Sequence, residues 1–142
     1  MIIQIPCLNE EDTLPQTLAD LPREVPGIDV VEYLVVDDGS TDRTSEVARA
    51  CGAHHVLTLG SNRGLAIAFR RGIDFALAHG ADIVVNTDGD NQYCGADIPK
   101  LVAPVLEDRA DIVVGSRPIV DHPEFGFVKK ALQLVGSWVL RM

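Results

Sequence analysis

Short apolar segments rich in β-branched residues alternate along this chain with segments of helical periodicity. Strands that alternate with helices favour a mostly parallel sheet covered by helices on both faces. We therefore predict an α/β fold. The predicted strands span residues 2–6, 30–36, 55–59, 81–86 and 111–115, and the predicted helices span residues 11–21, 41–51, 63–79, 96–106 and 124–142.

Two of the predicted helices carry more specific expectations. Ser40 or Thr41 is suited to cap the second helix, because a hydroxyl can accept a hydrogen bond from a free N–H of the first turn. The third helix is expected to carry one apolar face, formed by Leu65, Ala68, Phe69, Gly72, Ile73 and Ala76.

Size and charge restrict the possible functions. The 142 residues, with a mass of 15.3 kDa, predict one domain. A net charge of −9 argues against a general affinity for nucleic acid, whose phosphates would be repelled. It still allows nucleotide binding, because a metal ion and a few basic groups can reverse the field within one site.

The location is predicted from what the sequence lacks. Cys7, Cys51 and Cys94 are odd in number and form no CxxC pair, which is typical of reduced intracellular thiols. The apolar start has no basic region before it, and no apolar run reaches the roughly 18 residues that cross a bilayer. We expect a cytoplasmic protein.

Two carboxylates follow the predicted strand 81–86 after a single threonine. Asp88 and Asp90 lie two residues apart, with Gly89 between them. Side chains at this spacing can point the same way and share one hard cation, and ligands bind at the carboxyl ends of open α/β sheets. Mg²⁺ or Mn²⁺ would leave coordination positions for nucleotide phosphates. The alternative is a solvated turn, because Asp-Gly pairs are common in turns.

Polar residues also follow the first two predicted strands. Asn9 and Glu10 follow the first, and Asp37 and Asp38 end the second. In a parallel sheet these ends lie beside Asp88, and carboxylates there can accept hydrogen bonds from ribose hydroxyls and base N–H groups. Asp37 or Asp38 could instead cap the following helix.

Several familiar motifs are absent from the sequence. It contains no GxGxxG fingerprint, no P-loop, no EF-hand loop and no recognisable catalytic triad. A signalling receiver domain has a similar length, but its acidic pair would follow the first strand and a lysine would follow the fifth. Here the pair follows the second strand, and Ser116 and Arg117 occupy the position of that lysine.

Five segments together resemble the family 2 glycosyltransferases of the GT-A fold. In chain order they are IPCLNEEDTL, VVDDGSTDRT, NRGLAIAFRRGIDFA, NTDGDNQY and DIVVGSR. They are most similar to the branch of dolichyl-phosphate mannose synthases and bacterial polyprenyl-phosphate sugar transferases. The resemblance implies a Rossmann-like sheet that binds a nucleoside-diphosphate sugar, such as a UDP- or GDP-sugar.

The resemblance also implies roles for individual residues. The base and ribose would lie against Pro6, Glu10, Asp38 and, as a weaker candidate, Asp37. The segment 62–64 would lie near the nucleotide. Asp88, Asp90 and Gln92 match the segment that binds Mg²⁺ or Mn²⁺, with Gly89 beside the donor diphosphate.

Two basic residues complete the implied donor site. Arg117 would contact phosphate, and Lys130 aligns with a second basic position of the lipid-phosphate branch. Taken without the family, each could be a solvated surface side chain.

The implied reaction is sugar transfer with inversion. The metal at Asp88 and Asp90, helped by Arg117, would stabilise negative charge on the leaving diphosphate. A sugar hydroxyl as acceptor would need a general base, and the sequence offers no convincing one. A polyprenyl phosphate is already anionic and needs none, which favours a lipid-phosphate acceptor at the inner face of the membrane.

The sequence departs from the family in two respects. Members usually continue well beyond the position of Met142, so residues 1–142 are expected to be a donor-binding domain that lacks the acceptor portion. A nucleotide-sugar-binding domain without transfer activity is therefore an alternative. Leu8 also occupies a position where mannose synthases often carry an aromatic residue. The closing helix 124–142 is amphipathic, and we favour core packing or a homodimer contact over a membrane surface for it.

Overall fold

The computed structural model describes residues 1–116, and all its regular elements lie in one compact unit, Met1–Asp111. The strands are β1 (Ile2–Cys7), β2 (Glu32–Asp37), β3 (His55–Thr58) and β4 (Val84–Asn86). The helices are α1 (Leu14–Asp20), α2 (Thr44–Ala50), α3 (Leu65–Ala78) and α4 (Ile98–Leu106), and a short 3-10 turn at Gly95–Asp97 precedes α4.

The four strands form one parallel sheet in the order β3-β2-β1-β4. Ile2 is the register partner of both Glu32 and Val84, so the central strand β1 pairs along its whole length with β2 and at its start with β4. All carboxyl ends therefore lie at one edge, which we call the carboxyl rim. The predicted parallel α/β sheet is confirmed.

Helices cover both faces of this sheet. On one face Leu14 and Leu18 of α1, Ala48 of α2 and Ile98 and Val102 of α4 form a core with alternate residues of the strands. On the other face α3 packs Ala68 and Ala76 against Ile2, Leu34 and Val36. Burial on both faces explains why β1 and β2 are continuous apolar runs rather than alternating ones.

Helix α3 differs in part from the predicted apolar face. Its fully covered positions are Ala68, Gly72 and Ala76, at every fourth residue, whereas Leu65 is 65% and Phe69 is 42% exposed. The reason is close packing, since Gly72 lies directly against the buried side chain of Gln4 on β1. Small residues therefore make the contact, and the larger ones flank it.

The predicted fifth strand is wrong. Residues 112–116 form no strand or helix, and Ile112 and Val114 are 82% and 84% exposed. An apolar β-branched run supplies a suitable side-chain pattern, but a strand also needs a backbone partner, and none pairs with this segment in residues 1–116.

The predicted helix 124–142 lies outside the described residues, as do Arg117 and Lys130. Within the described part of the chain, no helix has both the length and the apolar character needed to cross a bilayer.

Candidate functional site

The loop after β4 carries the predicted metal ligands at the carboxyl rim. Thr87 N–H donates to the carbonyl of Gln4 at 3.1 Å, which extends the contact with β1. Asp88 accepts no hydrogen bond from residues 1–116, and Asp90 accepts one, from its own turn, through Gln92 N–H at 3.0 Å. Both carboxylates therefore keep lone pairs for a ligand.

The donor set fits a hard divalent cation. Asp88 and Asp90 offer only oxygen, the ligand atom that Mg²⁺ and Mn²⁺ prefer. Among residues 1–116, no group of three or more histidine, cysteine or acidic side chains is arranged to hold a metal. Two protein carboxylates would leave the remaining coordination positions to phosphate oxygens and water, as is usual for Mg²⁺.

Residues 87–92, which we call the metal loop, touch the end of β1. Gly89 is buried, and a Cβ at this position would lie 2.7 Å from Cys7 Sγ and 3.3 Å from Glu10 Cγ. A Cβ there would have to displace the buried thiol of Cys7, so the glycine between the two carboxylates permits the close packing of this loop on β1. The structure thereby brings Glu10 and the metal loop together.

The pKa of the Cys7 thiol reflects the negative charge at this rim. Burial raises its pKa well above the ordinary value, and the carboxylates of Glu10, Asp37, Asp42 and Asp88 raise it further. All four act in the same direction because they stabilise the neutral thiol against the thiolate. This part of the rim is thus strongly acidic and suited to attract a cation.

Asp37 closes a turn at the end of β2. It is 3% exposed; its Oδ1 accepts from Ser40 N–H at 2.8 Å, and its Oδ2 accepts from the Ser45 hydroxyl of α2. Both oxygens are engaged within the fold, but in a turn and with a side chain of α2, so Asp37 does not cap the helix backbone as the structural alternative supposed.

Asp38 holds the segment that precedes α3. It is 4% exposed, and its two oxygens accept from Arg63 N–H and Gly64 N–H, each at 2.8 Å. The carboxylate therefore fixes residues 62–64 at the rim, where they were predicted to lie near the nucleotide. Its predicted contact with a ribose or base stays a prediction.

Removing this carboxylate should loosen the loop. In Asp38→Ala the two backbone N–H groups lose a charged acceptor, and we expect the free energy of unfolding to fall by about 2 kcal/mol. Asp38→Asn keeps one acceptor oxygen but turns an NH2 donor towards the other backbone N–H, so it should also be less stable than the parent. Urea denaturation measures the loss, and amide exchange at Arg63 and Gly64 should rise in step. An alanine variant with parental stability and exchange would contradict this role.

The loop after β1 is joined to the loop after β2. Asn9 N–H donates to Ser40 Oγ at 3.0 Å, and Thr41 N–H donates to Asn9 Oδ1 at 2.8 Å. Glu10 N–H donates to Thr44 Oγ1 at 2.8 Å. These bonds between loops 31 to 34 residues apart give the rim a fixed wall.

The predicted helix cap is wrong for the same reason. Ser40 and Thr41 are engaged with Asn9, and α2 begins later, at Thr44. The N-cap residue of α2 is Arg43, which makes no side-chain cap, and Asp42, one residue earlier, accepts at its Oδ1 from the first-turn N–H of Thr44 at 2.9 Å. Burial raises the pKa of Asp42, but the hydrogen bonds from Thr44 and Glu11 outweigh it and hold the pKa below its usual value.

The other predicted residues have varied positions. Pro6 is buried in β1 beside Val36, whereas the carboxylate of Glu10 is partly exposed and accepts from the Thr13 hydroxyl. Gln92 is exposed, at the end of the metal loop. No described contact tests the ligand roles of these residues.

Sequence reasoning missed Thr17. Its hydroxyl donates to Gly89 O at 2.8 Å and so joins α1 to the metal loop. The available signal was its position, three residues after Leu14 on the apolar face of the helix, where a buried hydroxyl needs a partner.

Comparison with known proteins identifies related sequences. The sequence profile described as Glycosyl transferase family 2 matches residues 2–137. An undecaprenyl-phosphate mannosyltransferase of Micrococcus luteus is 38% identical over 119 residues, which cover 81% of this chain and 47% of that protein. An uncharacterized glycosyltransferase of Mycobacterium bovis is 37% identical over 139 residues, or 98% of this chain and 58% of the relative. The chain thus spans about half the length of these relatives.

A solved structure shows similarity in three dimensions. Glucosyl-3-phosphoglycerate synthase from Mycobacterium tuberculosis, in complex with Mn²⁺, UDP and glucosyl-3-phosphoglycerate, superposes with a TM-score of 0.60 at 32% identity. The match covers 74% of this chain and 39% of that one. A second complex of that enzyme contains Mn²⁺, UDP-glucose and glycerol 3-phosphate, with a TM-score of 0.59.

Proposed function

Because this chain belongs to glycosyltransferase family 2, we propose that it binds a nucleoside-diphosphate sugar and a divalent cation for metal-dependent sugar transfer. The observation that carries the proposal is the pair Asp88 and Asp90 at the carboxyl rim, where, among residues 1–116, Asp88 accepts no hydrogen bond and Asp90 accepts only that of Gln92 N–H. The Mn²⁺ and UDP bound by the similar synthase support it. Membership of this family also excludes the alternative of a signalling receiver domain.

The proposed donor site extends along the rim. Asp88, Asp90 and Gln92 would hold Mg²⁺ or Mn²⁺, which when bound supplies positive charge against the leaving diphosphate. Gly89 would line the diphosphate side, and Glu10 would lie on the side of the base and ribose. The base and ribose would lie towards Pro6, Asp37, Asp38 and the segment 62–64. Because the carboxylates of Asp37 and Asp38 bond within the fold, contacts to the nucleotide would come from backbone groups of this region.

Two basic residues are proposed to act on phosphate. Arg117 and Lys130 lie outside the described residues, and their roles are carried over from the resemblance alone. Charge stabilisation by such preorganised groups is typically worth about 10² to 10³ in rate. Arg117 would therefore belong to the catalytic set together with Asp90.

We propose a polyprenyl phosphate as the acceptor and inversion at the anomeric carbon. The similarity to an undecaprenyl-phosphate mannosyltransferase supports this acceptor. An anionic phosphate oxygen attacks without losing a proton, so the reaction needs no general base. A lipid-linked acceptor would bring the protein to the membrane surface, and we propose the cytoplasmic face.

Thermal unfolding with a panel of donors tests the donor site. UDP-, GDP- and dTDP-sugars, each with and without Mg²⁺ or Mn²⁺, should include one nucleotide class that raises the melting temperature only when metal is present. At a ligand concentration about 100 times Kd the stabilisation is about 2.7 kcal/mol, or several degrees for a domain of this size. If no nucleotide raises the melting temperature, the donor site is wrong. Binding without transfer to a polyprenyl phosphate would favour the non-transferring alternative.

A further inference from the structure

Helix α1 contacts the metal loop at two points, one helical turn apart. Thr17 Oγ1 donates to Gly89 O at 2.8 Å, in a buried bond that links residues 72 positions apart. Asp20 Oδ2 accepts from Asn91 Nδ2 at 3.1 Å, 71 positions away. We call this pair of bonds the α1 bracket. Because residues three apart share a helix face, both bonds leave α1 on the same side.

The two bonds of the α1 bracket hold the metal loop on both sides of Asp90. Gly89 and Asn91 are the immediate neighbours of that carboxylate, so one bond holds the backbone carbonyl before Asp90 and the other holds the side chain after it. Asn91 has a positive φ of 56°, a conformation that most residues avoid but asparagine tolerates. Its side-chain bond to Asp20 therefore holds a turn that the backbone alone would adopt less readily.

The helix that carries the bracket is packed into the core. Leu14 and Leu18 of α1 are 0% and 1% exposed in the core, and Thr17 itself is 3% exposed. Asp20 Oδ1 also accepts from Gln16 Nε2 at 2.7 Å, which fixes the carboxylate in its orientation. The loop is thus tied to an element that the core holds in place.

We propose that Thr17 and Asp20 are positioning residues for the metal site, which set the separation and direction of the carboxylates of Asp88 and Asp90. The inference rests on the proposed function. Neither residue belongs to the segments that carried the family resemblance to a metal site. Groups that orient metal ligands from outside typically change metal affinity about 10- to 100-fold when they are mutated.

The decisive variant is Thr17→Val, which has nearly the same shape as threonine but no hydroxyl. The probe is Mn²⁺ in the presence of UDP or GDP, measured by electron paramagnetic resonance, together with amide exchange of residues 87–92 in the metal-free protein. We expect Thr17→Val to weaken Mn²⁺ binding about tenfold and to speed exchange in the loop. Thr17→Ser, which keeps the donor, should behave as the parent does.

A second variant guards against misfolding. Asp20→Ala changes an exposed residue at the helix end, and it should loosen the loop without lowering the melting temperature substantially. If Thr17→Val and Asp20→Ala both leave the Mn²⁺ affinity and the loop exchange unchanged, the bracket has no positioning role. If the parent binds no Mn²⁺ with either nucleotide, the proposed function is wrong, and so is the proposal that Thr17 and Asp20 position metal ligands. Faster amide exchange of the loop in the two variants would then show only that α1 holds the loop in place.

Discussion

Replacing Asp90 by alanine should remove metal-dependent nucleotide binding almost completely. We expect the affinity for nucleotide in the presence of Mn²⁺ to fall by about two orders of magnitude, and transfer to an acceptor to fall by roughly 10² to 10³ in kcat/KM. The physical reason is that the cation would lose one of two protein carboxylates and half of the negative charge they provide. Titration calorimetry with UDP and GDP at fixed Mn²⁺ measures the change.

Asp90 also shapes its own loop, so a second variant is needed to separate charge from shape. Asp90 Oδ1 accepts from Gln92 N–H, and alanine would lose that bond as well. Asp90→Asn keeps an acceptor oxygen for the turn but removes the charge. We expect it to bind metal and nucleotide nearly as poorly as the alanine variant. Parental binding by Asp90→Asn would show that the charge of Asp90 is unimportant.

The same strand offers a matched control. Asp82 is an exposed carboxylate just before β4, at the opposite end of the strand from the metal loop. Asp82→Ala makes the same change in net charge and should leave nucleotide binding unaltered. A loss of affinity in this variant equal to that of Asp90→Ala would mean that the protein's overall charge governs binding.

The positions of strands could be predicted from the sequence where helices cover both faces of the strand. Strands β1 and β2 pack on two faces, so their apolar runs stand out, and the predicted bounds lie within about two residues of those observed. Residues 111–115 show the same pattern without a partner strand among the described residues, and there the prediction failed. The pattern of side chains indicates which residues tend to be buried, but it does not indicate which backbone segments pair.

The sequence predicted the position of the site better than it predicted the hydrogen bonds within the site. The carboxyl rim follows from parallel topology, so Asp38 and Asp88 were expected near each other in the fold. Sequence cannot tell which donors a carboxylate will find, and Asp38 bonds to backbone N–H groups that lie 25 and 26 residues further along. Thr17 was missed because its partner is a backbone carbonyl on another element.

Gly39 lies at a close approach of two backbone segments, because residues 61–62 pass directly over it. A Cβ at this position would lie 2.5 Å from Ser61 Cα and 2.6 Å from Asn62 N, with Ser61 C closer still. These are backbone atoms, which cannot rotate away as a side chain can. The two carboxylate bonds of Asp38 hold this crossing segment down onto Gly39.

Gly39→Ala should therefore be among the most destabilising single changes in the chain. The variant must accept a left-handed φ of +80° and must also push the 61–62 backbone away. We expect the free energy of unfolding to fall by about 4 kcal/mol or more, in the range that marks a severe packing fault. Urea denaturation gives the value, and any protein that still folds should exchange the amides of Arg63 and Gly64 faster than the parent does.

Gly60→Ala is the control that isolates the clash. Gly60 has a similar φ of +74°, but nothing lies within 4 Å of the position its Cβ would take. Its alanine variant carries only the conformational cost, about 1 to 2 kcal/mol. The excess loss in Gly39→Ala then measures how tightly the 61–64 segment is held against β2. Equal losses in the two variants would mean that this segment moves freely, and the proposed nucleotide side of the site would have no fixed wall there.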